Sequence, residues 1–152
     1  MLSQYFGTGT ILYSPSVSGW EEAVDRVTQP LVSLGSIRTE YVDAIKKAIV
    51  SPGGTYIDLG YQIALAHARP EMGVVKTSLS VLHLAQPFLL ADSPEHPIST
   101  LFCLAAESSE RHLELMKELA SLLSDAQWRQ QIESVSTEEE LRCVFTKEES
   151  VS

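Results

Sequence analysis

Cysteine and basic residues are both scarce in this sequence, and each shortage argues against a class of protein. Its 152 residues contain two cysteines, Cys103 and Cys143, whose separation matches neither a metal-binding pair nor a redox motif. We therefore predict unpaired thiols and no disulfide framework. Lysine and arginine number 11 against 20 acidic residues, for a net charge of −9. That charge argues against nucleic-acid binding through the phosphate backbone and favours docking to a basic partner.

Long apolar runs are also missing. The most apolar stretch, Leu79–Ala91, is interrupted by His83, Gln86 and Pro87 and falls short of the ~20 apolar residues that a membrane span needs. The chain does not begin with a basic segment followed by an apolar one, so no targeting signal is visible. We predict a cytoplasmic protein with no membrane insertion, folded as a single domain over residues 1–152.

Helical spacing of apolar residues predicts two helices in the first third of the chain. The first begins at a capping box made by Ser18 and Glu21 and ends at Gly35. The second is capped by Thr39 and ends at the turn residues Ser51–Gly54.

Strand-like segments follow, and a second group of helices closes the chain. The predicted strands are Tyr56–Asp58 and Gln62–Leu65 around a turn at Leu59–Gly60, then Lys76–Leu84 and Ile98–Ala105. The predicted helices are Glu110–Leu123 with Leu113, Met116, Leu119, Ala120 and Leu123 facing a sheet, one capped by Asp125, and Ser136–Phe145 before a frayed tail at 147–152. The pattern predicts an α/β fold, a mixed β-sheet flanked by helices.

One histidine stands out by its position. The apolar run Ile63–Ala66 is typical of a short buried strand, His67 follows directly, Arg69 comes two residues later, and Pro70 ends regular structure. This context presents an imidazole on a rigid support beside a cation, as a phosphoryl acceptor or a general base requires. The cation disfavours a protonated ring and keeps it nucleophilic. The alternative is a partly buried histidine that satisfies a turn.

The other histidines carry weaker signals. By its position alone, His112 is a solvated residue near the start of a helix, while His83 shares a strand face with apolar residues and is predicted to be a hydrogen-bonded core histidine. His96 is predicted to be a loop residue. No zincin pair, cysteine metal site, nucleophile elbow or phosphate-binding glycine loop is present in the sequence, so we predict no metal and no cofactor.

The segment I-A-L-A-H-A-R-P-E, followed by V-V-K-T-S-L-S-V, resembles the phosphorylation site of the enzyme IIA components of the sugar phosphotransferase system. Within that system it is most similar to the mannitol/fructose-type superfamily and its ascorbate-specific branch. The likeness extends to Ser18–Leu34, Gly35–Tyr56 and His96–Leu123. It implies the IIA fold and a phosphotransferase that needs no cofactor.

This resemblance implies a function. His67 would accept a phosphoryl group, as a tele-phosphohistidine, from the histidine-containing phosphocarrier protein and pass it to a cysteine of a cognate enzyme IIB. Enzyme IIB would phosphorylate ascorbate or a related sugar entering through the membrane enzyme IIC, which selects the sugar. The alternative is a regulatory phosphoprotein whose state at His67 controls binding to a transcriptional regulator or another target.

The resemblance also assigns supporting residues. His112, in the stretch Ala105–Leu113, matches a second histidine that helps to hold the phosphoryl group. Where the family has an arginine before the Thr-Tyr pair, this chain has none, so Arg69 is the candidate for charge balance. Ala66 replaces the family's proline before the active histidine. The further candidates to bind phosphoryl oxygens are Ser78, Ser80 and Thr55, for which a solvated surface role is the alternative.

Overall fold

The computed structural model describes residues 2–151, with side chains as far as Phe145. One strand and two helices are followed by four strands and then by three helices. The strands are β1 (Phe6–Ser14), β2 (Asp58–Gly60), β3 (Ile63–Ala66), β4 (Ser78–Leu89) and β5 (Pro97–Ala105). The helices are α1 (Trp20–Ser33), α2 (Thr39–Val50), α3 (Ser109–Leu123), α4 (Ala126–Glu133) and α5 (Glu138–Val151).

The five strands form one mixed sheet in the order β1-β4-β5-β3-β2. β1 is parallel to β4, β4 is antiparallel to β5, β5 is parallel to β3, and β3 is antiparallel to β2. This confirms the predicted α/β class. Because Ala66 pairs with Cys103, the parallel strands β3 and β5 end at the same edge of the sheet. His67 and the start of α3 therefore leave the sheet side by side.

Helices cover both faces of the sheet and create two cores. α1 and α2 pack on one face around Leu31, Tyr41 and Ile45, whereas α3, α4 and α5 pack on the other around Leu119 and Phe145. The interior strand β4 is consequently buried on both faces from Ser78 to Leu84, although we had expected an alternating strand. A strand covered on both sides loses its solvent-facing alternation.

β1 is absent from the predicted elements. Gly7 and Gly9 open this strand, and Gly9 has a positive φ of 75° at a point where the pairing register with β4 shifts. Glycines weaken a strand pattern, and here they accompany a bulge. The apolar signal that could have found the strand is confined to its end, Ile11–Tyr13.

Several predicted boundaries were wrong by a residue or two. The capping box of Ser18 and Glu21 is not formed; α1 begins at Trp20, and the Ser18 N–H donates to the Glu22 carboxylate over 2.6 Å. Thr39 is the first helical residue of α2 instead of its cap. The segment predicted as Tyr56–Asp58 is a 3₁₀ turn, Gly54–Ile57, followed by β2, and the hairpin turns at Tyr61–Gln62, where both φ angles are positive.

The buried face of α3 also differs from the predicted one. Leu115, Leu119 and Leu123 are buried, whereas Leu113 is 60% exposed. Ser108 caps the helix by accepting from the Arg111 N–H, as the capping pattern of a helix start requires. Leu119 and Leu123 fit both candidate faces at helical spacing, so the pattern could not choose between them. Because α3 buries this other face, Leu113 faces outward beside His112.

The last two helices and the two thiols agree with the sequence prediction in part. Asp125 caps α4 as predicted, and α5 continues to Val151 instead of ending at Phe145. Side chains after Phe145, and Ser152 altogether, lie outside the described residues, so the frayed tail stays a prediction. Cys103 and Cys143 are both free. No helix among the described residues is long and apolar enough to span a membrane.

Candidate functional site

His67 lies at the mouth of β3, in an open cleft at the edge of the sheet. The strand before it is fully buried, and the His67 side chain is half-buried. The cleft has a volume of about 670 Å³. It is lined by Ala44, Ala48, Tyr56, His67, Ala68, Arg69, Pro70, Met72, Ser109, His112 and Leu113.

The backbone determines the tautomer of His67. Its Nδ1 lies 2.8 Å from the carbonyl oxygen of Leu65. A carbonyl oxygen only accepts, so Nδ1 carries the proton and donates. In the neutral ring the lone pair then belongs to Nε2, the nitrogen near the hydroxyl of Tyr56. The ring therefore presents a nucleophilic nitrogen to the cleft.

Burial keeps the His67 ring neutral. Removal from water lowers the pKa of His67 below its ordinary value, and the hydrogen bond to Leu65 opposes this only in part. The sequence predicted that Arg69 helps to keep the ring neutral; in the structure burial is the largest cause of the lowered pKa. A lowered pKa means that the nucleophilic form persists to a lower pH than in an ordinary histidine.

His112 lies beside His67. It occupies the first turn of α3, and the centroids of the two rings are 5.1 Å apart, with their planes at 50°. Burial lowers the pKa of His112, and the nearby charge of a protonated His67 lowers it further. The two rings are thus held together as neutral imidazoles, either of which could donate to an anion after taking up a proton.

Charge in the cleft has one sign only. Arg69 is exposed and is the one arginine or lysine among the residues that line the cleft, which include no carboxylate. This contrasts with the chain as a whole, whose net charge is −9. A small anion at His67 would therefore meet positive charge and hydrogen-bond donors without an acidic neighbour.

Tyr41, which was not among the residues predicted from the sequence, fixes the segment that carries His67. Its side chain is fully buried, and its hydroxyl accepts from the Ala68 N–H over 3.0 Å and donates to the Leu104 carbonyl over 2.7 Å. One hydroxyl thus joins the chain after β3 to the end of β5. Sequence spacing identified Tyr41 neither as an anchor nor as a core residue, because its partners are distant along the chain.

Replacing Tyr41 by phenylalanine should lower the free energy of unfolding by about 1–3 kcal/mol, because two buried backbone groups lose their partner. Urea denaturation measures this loss. Tyr61→Phe is the matched control, since the Tyr61 side chain is 64% exposed, and it should change stability by less than about 0.5 kcal/mol. Equal stabilities of the two variants would contradict the anchoring role.

The structure does not bring the three hydroxyl candidates to the cleft. Ser80 is fully buried and donates to the Val27 carbonyl over 2.5 Å, toward α1. Ser78 donates to the Lys76 carbonyl and lines a different cleft. Thr55 is half-buried and does not line the cleft, whereas its neighbour Tyr56 does. β4 lies in the interior of the sheet, which is why its serines are buried in helix packing.

The remaining histidines lie outside the cleft. His83 is 2% exposed, with Nδ1 2.8 Å from the Thr100 hydroxyl, which confirms the predicted core histidine. His96 pairs with the Asp58 carboxylate over 2.8 Å. Over the part of the chain that the structure describes, no group of three histidine, cysteine or acidic side chains could hold a metal ion.

The sequence matches a known family along nearly its whole length. The model of the family described as "Phosphoenolpyruvate-dependent sugar phosphotransferase system, EIIA 2" matches residues 4–148. A mannitol-specific cryptic phosphotransferase enzyme IIA component of Escherichia coli is 32% identical over 96% of this chain and 98% of the relative. An ascorbate-specific EIIA component of Escherichia coli is 28% identical over 80% of this chain and 79% of its own length.

Solved structures agree. The solution structure of a mannitol-specific cryptic enzyme IIA from Escherichia coli aligns with a TM-score of 0.88 at 30% identity, covering 96% of this chain and 98% of the other. An Escherichia coli complex of mannitol enzyme IIA with phosphorylated enzyme IIB aligns at 0.74 and 19% identity, covering 93% and 97%. A nitrogen regulatory protein IIA from Neisseria meningitidis aligns at 0.74 and 21% identity, covering 93% and 96%. The last two matches show the fold alone.

The resemblance seen in the sequence is confirmed by these matches. The fold aligns with that of a solved IIA protein over 96% of this chain, and the family match extends well beyond the histidine segment. This chain therefore belongs to the EIIA 2 family of the phosphoenolpyruvate-dependent sugar phosphotransferase system and is a phosphotransferase of the enzyme IIA type.

Proposed function

We propose that the chain is a phosphocarrier that accepts a phosphoryl group on Nε2 of His67 from the histidine-containing phosphocarrier protein. It then passes the group to a cysteine of a cognate enzyme IIB. The observation that carries the proposal is the 2.8 Å hydrogen bond from Nδ1 to the Leu65 carbonyl, which leaves the Nε2 lone pair free for attack. The tele nitrogen is thus the one expected to carry the group.

The transfer needs no metal or separate base in this geometry. The Nε2 lone pair forms a bond to phosphorus while the donor's nitrogen–phosphorus bond breaks, and that electron pair remains on the donor imidazole. The Nδ1 proton stays in its hydrogen bond to Leu65 throughout. In the second transfer, a thiolate of enzyme IIB attacks phosphorus and His67 leaves as the neutral ring. Positioning and charge balance therefore supply the catalysis.

His112 and Arg69 would hold the phosphoryl group in this scheme. A phosphoryl group on His67 brings negative charge next to His112, whose ring centroid is 5.1 Å away. That charge favours protonation of His112, which can then donate a charge-assisted hydrogen bond. Arg69 lines the same cleft and balances the remaining charge.

The rim of the cleft is suited to protein partners. Tyr56, Met72 and Leu113 line the cleft and are 61%, 45% and 60% exposed. Exposed apolar side chains grouped around a reactive centre are typical of a docking surface. Among the apolar residues that follow the cleft along the chain, Val75 is 52% exposed, whereas Val74 is half-buried. A carrier must release each partner, so we expect a small and transient contact.

The partners follow from the proposed transfer. The mannitol enzyme IIA of similar fold forms a complex with phosphorylated enzyme IIB, and an enzyme IIB is the acceptor that we propose here. The membrane enzyme IIC takes part only indirectly, and the exchange takes place in the cytoplasm. For the sugar we propose ascorbate or a related one, which the ascorbate-specific relative supports at 28% identity.

Intact-mass analysis tests the proposal directly. The chain is incubated with phosphoenolpyruvate, enzyme I and the histidine-containing phosphocarrier protein. We expect one added phosphoryl group, labile in acid and stable in alkali, as a phosphohistidine is. Absence of uptake by correctly folded protein would contradict the phosphocarrier role.

A regulatory phosphoprotein is the second candidate, because a nitrogen regulatory protein IIA has the same fold. The two functions differ in the fate of the phosphoryl group. Incubation of the phosphorylated chain with its cognate enzyme IIB should move the group to a cysteine if the chain serves transport. Retention of the group on the chain would favour regulation.

A further inference from the structure

We propose that Tyr56 is a further phosphoryl-binding residue, whose hydroxyl bonds to Nε2 of His67 in the resting protein and to a phosphoryl oxygen after transfer. The inference rests on the proposed function and extends it to a residue that the sequence did not identify. Tyr56 touches the reacting atom itself, since its hydroxyl oxygen lies 3.4 Å from Nε2.

The direction of this hydrogen bond follows from the tautomer. Nδ1 of His67 carries the proton because it faces the Leu65 carbonyl at 2.8 Å. In the neutral ring Nε2 can then only accept, so the Tyr56 hydroxyl donates. The two rings also meet edge to face, with centroids 5.6 Å apart and planes at 87°. Tyr56 therefore caps the lone pair that would attack phosphorus.

The backbone of Tyr56 is held firmly against α2. Its N–H donates to the Gly53 carbonyl over 3.2 Å, and Gly53 has a positive φ of 76°. A Cβ on Gly54 would lie 2.1 Å from the Ala48 carbonyl oxygen, so this turn fits closely against the end of the helix. The side chain of Tyr56, in contrast, is 61% exposed. A fixed backbone with a free side chain allows the hydroxyl to move a short distance and return.

Phosphoryl transfer requires that movement. When the Nε2 lone pair bonds to phosphorus and the donor's nitrogen–phosphorus bond breaks, Nε2 can no longer accept from Tyr56. The displaced hydroxyl keeps its proton, and the acceptors that replace Nε2 are the phosphoryl oxygens bound to it. A phosphoryl oxygen carries negative charge, so the new hydrogen bond is stronger than the one it replaces.

Few side chains that line the cleft can donate hydrogen bonds to a phosphoryl group, and Tyr56 is one of them. The polar side chains that line it are Tyr56, His67, Arg69, Ser109 and His112, and only Arg69 among them is always charged. Three phosphoryl oxygens require several donors. Tyr56 is the one whose hydroxyl is within hydrogen-bond distance of Nε2.

Tyr56→Phe tests the inference, with Tyr61→Phe as the matched control because Tyr61 is equally exposed at 64% but lines a separate cleft. Each protein is equilibrated with the phosphorylated and free histidine-containing phosphocarrier protein, and the phosphorylated fraction is measured by intact mass. Tyr56→Phe loses the bond to neutral Nε2 in the resting chain and the stronger bond to a charged phosphoryl oxygen in the phosphorylated chain. Only the difference between the two shifts the equilibrium, by about fivefold to tenfold against the phosphorylated chain. An equilibrium equal to that of wild type and Tyr61→Phe would overturn the inference.

A second measurement examines the resting contact without any transfer. The ¹⁵N resonance of Nε2 in His67 should move downfield in Tyr56→Phe, since the lone pair loses its donor, and should stay in place in Tyr61→Phe. An unchanged resonance would overturn the resting hydrogen bond. Absence of phosphoryl uptake by the wild type would contradict the proposed function and, with it, the phosphoryl contact, a failure distinct from one seen in Tyr56→Phe alone.

Discussion

Replacing His67 by glutamine is expected to abolish phosphoryl uptake from the phosphorylated carrier. Glutamine is a polar side chain close to histidine in size, so the half-buried position should remain filled and folded. It provides no nitrogen lone pair for attack on phosphorus, because the amide nitrogen is conjugated with its carbonyl. Intact mass after incubation with phosphoenolpyruvate, enzyme I and the carrier should show no added phosphoryl group.

His96→Gln is the matched control for this experiment. His96 is a partly buried histidine that pairs with Asp58 outside the cleft, and its replacement should leave uptake at the wild-type level. Circular dichroism of both variants establishes that they are folded. Phosphorylation of folded His67→Gln on another residue would show that His67 is not the acceptor.

Replacing His112 by glutamine should weaken the phosphorylated state without removing the acceptor. In the resting protein the pKa of His112 is lowered by burial and by the neighbouring His67, so the ring is mostly neutral at pH 7. A phosphoryl group on His67 adds negative charge beside it and should raise that pKa, so His112 gains a proton and a charge-assisted hydrogen bond. Loss of this bond should shift the transfer equilibrium about tenfold to a hundredfold toward the free chain.

Histidine titration by NMR separates this role from mere packing. The pKa of His112 should be below its ordinary value in the resting chain and higher in the phosphorylated chain. The buried histidine His83 does not line the cleft and serves as the reference, because its pKa should be the same in both states. Equal pKa values of His112 in the two states, together with normal uptake by His112→Gln, would exclude a part in holding the phosphoryl group.

Local sequence was a good guide where a pattern and its consequence lie close together. The apolar run Ile63–Ala66 predicted the buried strand β3. Pro70 was expected to end regular structure, but the strand already ends at Ala66 and Pro70 begins a 3₁₀ turn, Pro70–Met72. The spacing of apolar residues also predicted α3, α4 and the α/β class. The short-range pattern did not predict β1, because its glycines interrupt the alternation of apolar residues. It also predicted the wrong buried face of α3, because two faces of that helix share the same leucines.

Site residues were hardest to predict where they depend on contacts across the fold. Ser80 has a hydroxyl that a phosphoryl site could use. However, β4 lies between two other strands under α1, and the Ser80 hydroxyl donates to the Val27 carbonyl instead. Tyr41 lies 27 residues before Ala68, and its hydroxyl nevertheless bonds to that backbone. Sequence spacing alone does not show that Ser80 faces α1 or that Tyr41 supports the cleft.

The sequence by itself determined that this chain is an acidic α/β domain of the IIA type, with His67 on the end of a buried strand beside Arg69. These properties follow from composition, short-range periodicity and a contiguous motif, all of which act over a few residues. Tertiary structure alone decided that β3 and β5 end together, so that His112 meets His67. It also decided that the turn before β2 brings Tyr56 to the same ring, and that burial lowers the pKa of His67. Desolvation and contacts between distant segments arise only when the sheet and its helices have packed.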